Sequence, residues 1–131
     1  MNGTGRRAST RRQKEIARHL RALAPMMPLA DFEAVMAGAV AGHLRHLPPS
    51  IAAWQALSAR VRHAHTEYDA LLSEGYDRDS ARFFVADAMN DRLAAWGSAR
   101  RVELSAEDGE GGPDAGENGG AAARGKGVDT A

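Results

Sequence analysis

Residues 48–77 read PPSIAAWQALSARVRHAHTEYDALLSEGYD, and this stretch decides the fold of the chain. A double proline opens it, and Gly75 precedes the turn that ends at Asp77. Between them the apolar residues recur three or four positions apart, which is the spacing of one helix face: Ile51, Trp54, Leu57, Val61, Tyr68, Leu71 and Leu72. The pattern predicts one helix from Ser50, its N-cap, to Ser73, roughly 35 Å long at about 1.5 Å per residue.

The same spacing predicts three further helices, over residues 10–23, 29–47 and 78–96, and no alternating strand pattern of useful length occurs. Thr10 and Asp77 are the expected N-caps, because their side-chain oxygens can accept from the first free backbone N–H groups of a helix. The sequence therefore predicts a bundle of helices without a sheet.

The apolar faces of these helices assign the core. On the second helix the face consists of Leu29, Phe32, Met36, Val40, Leu44 and Leu47. On the last helix it consists of Ala81, Phe84, Val85, Ala88 and Trp96. We expect the rings of Trp54, Phe84 and Trp96 to pack together in a common aromatic core.

The two ends of the chain differ from its middle. All seven aromatic residues lie within residues 32–96, whereas residues 104–131 hold eight of the 14 glycines and almost no apolar residue larger than alanine. Such a segment cannot bury enough apolar surface to offset a backbone entropy of roughly 1–2 kcal/mol per residue. We therefore expect a flexible basic N-terminus over residues 1–9, an all-α, small four-helix single domain over residues 10–103, and a disordered glycine-rich acidic tail over residues 104–131.

Charge is segregated along a chain that is neutral overall, with 17 basic and 17 acidic residues. Residues 1–24 carry seven basic residues and one acidic residue, a net charge of +6. Residues 25–103 carry −2, and residues 104–131 carry two basic and six acidic residues, a net charge of −4. The charge of the whole chain therefore shows no signature of a nucleic-acid or membrane partner, but this average hides a basic first segment and an acidic last one.

Composition also restricts the compartment and the chemistry. The chain has no cysteine, which excludes disulfides, thiolate metal sites and cysteine nucleophiles and fits a reducing compartment. No apolar run approaches the ~20 residues that cross a bilayer, and the N-terminal MNGTGRRASTRR lacks the apolar stretch of a secretory signal. We expect a soluble, cytoplasmic protein without a membrane span.

The first predicted helix presents a basic face. Four cations, Arg11, Lys14, Arg18 and Arg21, lie at i, i+3, i+7 and i+10, opposite the apolar stripe of Ile16, Leu20 and Leu23. Together with Arg12 they are the candidate nucleic-acid-binding residues, because such a helix can dock its apolar stripe on the bundle and direct its cations to phosphates. The alternatives left open are a solvated helix whose charge the acidic residues balance, a membrane surface, and a protein partner.

Histidine supplies the only candidate metal site. His43 and His46 share one face of the second predicted helix, and His63 and Glu67 share one face of the third. The proline corner between these helices could bring the four side chains together around zinc or iron. The chain contains no Glu-x-x-His pair, which helical-bundle metal enzymes usually supply from each of two helices.

No enzyme signature accompanies these residues. The chain has no glycine-rich phosphate loop between a strand and a helix, and no serine in a nucleophile-elbow context. The sequence therefore favours a non-catalytic binding or adaptor module that needs no cofactor, with nucleic acid or another protein as partner. A metal-dependent helical-bundle enzyme that uses His43, His46, His63 and Glu67 is the alternative.

Three strings in residues 43–97 carry a family resemblance. They are the double proline followed by Ser50 and Trp54, the run HAHTEYD at 63–69, and GYDRD at 75–79. With the preceding TRRQKEIARHLRALAP, this region resembles the family of bacterial proteins grouped as Domain of Unknown Function 2293. That family has no assigned activity, so the resemblance implies no substrate, cofactor or site residue.

Overall fold

The structure, a computed structural model of the 131-residue chain, describes residues 10–103. Five α-helices follow one another there: α1 Arg11–Leu23, α2 Leu29–Ala39, α3 Pro49–His65, α4 Tyr68–Ser73 and α5 Arg78–Ala95. Four of them are longer than α4, and this part of the chain contains no strand. The predicted all-α, four-helix fold is confirmed. The N-terminus 1–9 and the acidic tail 104–131 lie outside the described residues.

Local signals fix the ends of α1 and α5 as the sequence predicts. The Thr10 hydroxyl accepts from the Gln13 backbone N–H at 3.0 Å, and the Gln13 side chain accepts from the Thr10 N–H at 3.0 Å, which is a capping box. Asp77 accepts from the Ser80 N–H at 2.7 Å and so begins α5. Gly97, with φ +88°, follows the last turn of α5 in the left-handed conformation that glycine adopts readily.

The second predicted helix is too long by eight residues. Helix α2 ends at Ala39, and the chain continues through a 3₁₀ turn at Gly42–Leu44. Glycine costs about 1 kcal/mol relative to alanine within a helix, and Gly38 and Gly42 flank the end of α2. The Arg12 guanidinium also stabilises the loop, because it donates to the carbonyls of Leu44 at 3.0 Å and Leu47 at 2.6 Å.

The third predicted helix is divided in two. It begins at Pro49, with Pro48 rather than Ser50 as N-cap, which fits the preference of proline for the first helical position. It ends at His65, because the Thr66 hydroxyl donates to the Arg62 carbonyl and accepts from the Tyr68 N–H at 3.1 Å. Threonine thus replaces main-chain helix bonds with side-chain bonds, and Tyr68 begins a separate short helix.

Helix α3 lies at the centre of the bundle and packs against α1, α2, α4 and α5. Its buried residues join those of the neighbouring helices in one core cluster, whose largest fully buried side chains include Ile16, Leu20, Leu57, Val61, Tyr68, Val85 and Leu93. No helix within residues 10–103 is long and apolar enough to cross a membrane.

The expected three-ring core is wrong. Trp96 is buried and Trp54 packs against the core while partly exposed, but Phe84 is 56% exposed. The buried face of α5 consists of Ala81, Val85, Ala86, Met89, Asn90 and Leu93. Phe84 lies on the other face, where its ring contacts Tyr76 and Phe83 edge-on at centroid distances of 5.4 and 5.9 Å.

Candidate functional site

The basic face of α1 forms as the sequence predicts. Arg11, Lys14, Arg18 and Arg21 are all exposed. Ile16 and Leu20, on the opposite side of the helix, are fully buried against the bundle. The core thus fixes the rotation of α1 about its axis, and the four cations, which we call the basic face, point to solvent.

Only weak contacts hold these cations. Arg18 Nη2 lies 3.8 Å from Glu15 Oε2, and solvent reaches both side chains, so this ion pair contributes little. The Arg21 guanidinium lies 4.9 Å from the centre of the Phe32 ring, which is a cation–π contact. Within residues 10–103, neither Arg11 nor Lys14 forms an ion pair. The charge of the basic face is therefore available to a partner.

Arg12, the fifth predicted cation, differs from the other four because it is half-buried. Its two terminal nitrogens donate to the carbonyls of Leu44 and Leu47, which ties the first turn of α1 to the loop after α2. The exposed Arg45 and His46 lie in that loop, between the two carbonyls that Arg12 binds. By binding this loop, Arg12 thus places Arg45 near the N-terminal end of the basic face.

The four candidate metal ligands lie on different elements. His43 is in the 3₁₀ turn and His46 in the following loop, so the helical spacing that paired them in the sequence is absent. His63 lies in the last turn of α3, and Glu67 immediately precedes α4. His43 and His63 line one cavity, and His46 and Glu67 do not line it. Among the described residues, no three His, Asp or Glu side chains are grouped as metal ligands.

A buried carboxylate that the sequence did not reveal joins α2 to α3. Asp31, in the first turn of α2, is only 6% exposed. Its Oδ1 accepts from Arg60 Nε at 2.7 Å and lies 2.8 Å from His65 Nε2. An ionised carboxylate can only accept, so the Nε2 atom of His65 carries the proton in this pair. His65 in turn contacts Trp96 edge-on at 5.3 Å, which links the cluster to the end of α5.

The pKa of Asp31 reflects two opposing effects. Burial by itself raises the pKa of a carboxyl group, because it disfavours the charged form. The hydrogen bonds from His65 and Arg60 and their positive charges together outweigh burial, so the pKa of Asp31 is lowered from its ordinary value of 3.8. The cluster is therefore an ionised structural contact at neutral pH.

Apolar spacing gives no sign of this cluster, because its hydrogen-bonded members are Asp31, Arg60 and His65, which are polar residues. The buried residues of α2 are Asp31, Val35 and Ala39, which is a regular spacing of four. The charged residue at the start of that series was the available signal, together with a histidine and an arginine on the neighbouring helix.

Comparison with known proteins identifies the family of the chain. The family described as uncharacterized conserved protein (DUF2293) matches residues 19–97, which include α2 to α5 and the last five residues of α1. No curated protein and no solved structure matches the chain. Arg21 lies within the matched region, and Arg11, Lys14 and Arg18 precede it. On this match over more than half of its length, the chain belongs to the DUF2293 family.

Proposed function

We propose that this protein is a non-catalytic binding module that contacts the phosphates of nucleic acid through the basic face of α1. The observation that carries the proposal is the exposure of Arg11, Lys14, Arg18 and Arg21 on one side of a helix whose other side is fully buried. We infer a cytoplasmic location from the absence of cysteine.

Rigidity of α1 supports this proposal. The capping box at Thr10 fixes the first turn, and Arg12 joins that turn to the loop before α3. Cations on a fixed helix lose less conformational entropy on binding than cations on a mobile segment. A nucleic-acid backbone carries regularly spaced phosphates, so a row of positive charges on a helix can contact several of them at once.

We expect the contact to show little sequence preference. The basic face consists of long cationic side chains, and phosphate contacts position a protein without reading base edges. Four such contacts give a slope of roughly −3 to −4 for the logarithm of affinity against the logarithm of salt concentration.

The test compares two double variants that remove the same charge. Arg11→Ala with Lys14→Ala removes two exposed cations from α1, and Arg92→Ala with Arg101→Ala removes two exposed cations elsewhere. Fluorescence anisotropy with a labelled duplex and a labelled single-stranded RNA, over a salt series, measures affinity and slope. We expect the α1 variant to lose about tenfold in affinity at low salt and about two units of slope, and the control to change less than twofold.

Two results would contradict the proposal. Equal losses of affinity in the two double variants would mean that binding depends on the net charge of the protein and not on the basic face. No binding by the unmodified chain at low salt would leave a protein partner, or a membrane surface if vesicles with anionic lipid are bound instead.

A further inference from the structure

A cavity of about 370 Å³ opens between α2, the 3₁₀ turn and α3. This volume falls in the range of roughly 300–1,000 Å³ that is usual for small-molecule sites. Five of its nine lining residues are small residues of α2 and α3, namely Ala34, Gly38, Ala56, Ala59 and Ala64. Because these residues carry little or no side chain, the two helices leave an apolar space between them.

Three polar side chains also line this cavity: Arg60, His43 and His63. The Asp31 cluster fixes Arg60, whose Nε donates to the buried carboxylate at 2.7 Å. A guanidinium carries four further N–H groups at its end, in a planar arrangement that fits carboxylate and phosphate oxygens. Arg60 is a third exposed, so these groups can reach a ligand in the cavity.

A second carboxylate orients His63. Its Nδ1 lies 2.7 Å from Asp69 Oδ1, and its ring contacts Tyr68 edge-on at 5.3 Å. When the ring carries both protons, Nδ1–H donates to Asp69 and Nε2–H is a second donor, which can bond an anion. The buried Asp31 carboxylate thus sets the Arg60 side chain before any ligand binds, whereas Asp69 orients His63 more weakly, because both of those side chains are exposed.

We propose that this cavity binds a small organic anion, a carboxylate or phosphate group on a short apolar body. Arg60 binds the anionic group, His63 and His43 supply further hydrogen bonds, and the apolar body lies on the alanine and glycine surface of α2 and α3. The site is separate from the nucleic-acid contact proposed above, because none of the four cations of the basic face lines the cavity.

Amide chemical shifts of the ¹⁵N-labelled full chain test the proposal. The probes are benzoate, phenyl phosphate and neutral benzyl alcohol, so that the first two distinguish the anionic groups and the third tests the need for charge. We expect saturable shifts at the amides of cavity residues such as Ala34, Gly38 and Ala64 with at least one anion, and at least tenfold weaker binding of benzyl alcohol.

Matched variants locate the site. His43→Ala removes a cavity histidine, and His46→Ala removes a histidine that is also exposed but lies outside the cavity. Ala59→Leu places a larger side chain in the cavity, and thermal unfolding by circular dichroism checks its fold. We expect His43→Ala to weaken anion binding at least threefold, Ala59→Leu to remove it, and His46→Ala to leave it unchanged.

Several outcomes would overturn the inference. They are equal binding of benzyl alcohol and the anions, no saturable shifts at the cavity amides, shifts centred on α1, and equal effects of the two histidine variants. If Ala59→Leu fails to fold, the comparison of anion binding by His43→Ala and His46→Ala still tests whether the cavity is the site. None of these results depends on whether the basic face binds nucleic acid.

Discussion

Trp96 and Phe84 occupy opposite environments, although the sequence placed both on one apolar face. Trp96 is 4% exposed and holds the corner between α1 and α2, because its carbonyl accepts from the Met26 N–H at 2.8 Å. Phe84 is more than half exposed and contacts two other exposed rings. The helical period identifies apolar stripes, but a stripe that includes an aromatic residue such as Phe84 need not be the buried one.

Truncation of the two aromatic side chains therefore gives different losses of stability. We expect Trp96→Ala to lower the free energy of unfolding by roughly 3–5 kcal/mol, because it removes a fully packed ring. We expect Phe84→Ala to lower it by less than about 1 kcal/mol, because solvent already reaches that ring. Urea denaturation of the two variants measures both values, and equal losses would contradict the assignment of the buried face of α5.

Asp31 gives the fold a dependence on acid pH. A carboxyl group whose pKa is lowered by folding stabilises the native state above its unfolded pKa and loses this effect as pH falls through the folded pKa. The pKa of Asp31 is lowered from 3.8, so the stabilisation is complete at neutral pH and declines below about pH 4. We expect Asp31→Asn to cost roughly 1–3 kcal/mol at pH 7, because Arg60 and His65 lose an ionised partner.

Denaturation of the unmodified protein and of Asp31→Asn from pH 7 to pH 3 measures this effect. The difference in stability should be present at pH 7 and should shrink as the pH falls below about 4 toward pH 3. Glu33→Gln is the matched control, because Glu33 lies on the same helix and is exposed. A difference that stays constant over this range would show that charge on Asp31 is not what stabilises the cluster.

At the scale of elements, the sequence predicted where helices begin better than where they end. Thr10 and Asp77 are short-range signals, since each bonds a backbone N–H three residues away. The loop that follows α2 is held instead by Arg12, which is more than thirty residues from the carbonyls it binds. The end of α3 depends on a threonine hydroxyl that a helix interior also tolerates. The spacing of apolar residues shows neither the Arg12 contacts nor the Thr66 hydrogen bond.

Replacement of glycine by alanine at three positions tests the packing of α2 and the turns before and after α5. A Cβ on Gly38, within α2, would meet the Ala56 Cβ at 3.9 Å, an ordinary contact, so Gly38→Ala should stabilise by up to about 1 kcal/mol. Gly75 and Gly97 both have positive φ, and a Cβ on Gly97 would also lie 3.0 Å from Pro25 Cγ. We expect both alanine variants to be destabilised, and Gly97→Ala more than Gly75→Ala.

Thermal unfolding of the three alanine variants ranks them. The expected order of melting temperatures is Gly38→Ala above the unmodified chain, then Gly75→Ala, then Gly97→Ala. A destabilised Gly38→Ala would mean that α2 and α3 are packed more closely than the structure shows.

For the whole molecule, the sequence located the candidate site on α1 but not the cavity. A basic face follows from helical spacing alone, because the four cations and the buried stripe lie on one element. The cavity requires small residues of two helices to lie opposite each other, with Arg60 and His63 oriented by carboxylates on other elements. Such a juxtaposition is a property of the packing, which the sequence of one helix does not determine.

The metal-dependent alternative is tested on the intact molecule. Only His43 and His63 of the four candidate ligands share a surface, and two ligands hold zinc far more weakly than four. We expect elemental analysis of the purified full chain to find much less than one zinc or iron per molecule. Stoichiometric metal that His43→Ala removes would contradict this expectation and would favour the enzyme over the binding module.

The last prediction concerns the charge of the whole chain. Residues 104–131 carry a net charge of −4 and are covalently joined to a fold whose first helix is basic. We therefore predict that this segment competes with phosphates for the basic face at a high effective concentration. We expect deletion of this segment to raise the affinity for a labelled duplex several-fold at low salt. The gain should vanish near 0.15 M salt, where the Debye length is ~8 Å.

A chain in which the six acidic residues of that segment are replaced by their amides is the matched control, since it keeps the length and removes the charge. Competition by charge requires the amide chain to bind as tightly as the deletion. If the amide chain behaves like the unmodified protein, the segment acts through its bulk. If the deletion has no effect at any salt concentration, the acidic segment and the basic face do not interact, and the neutrality of the whole chain has no bearing on how α1 binds its partner.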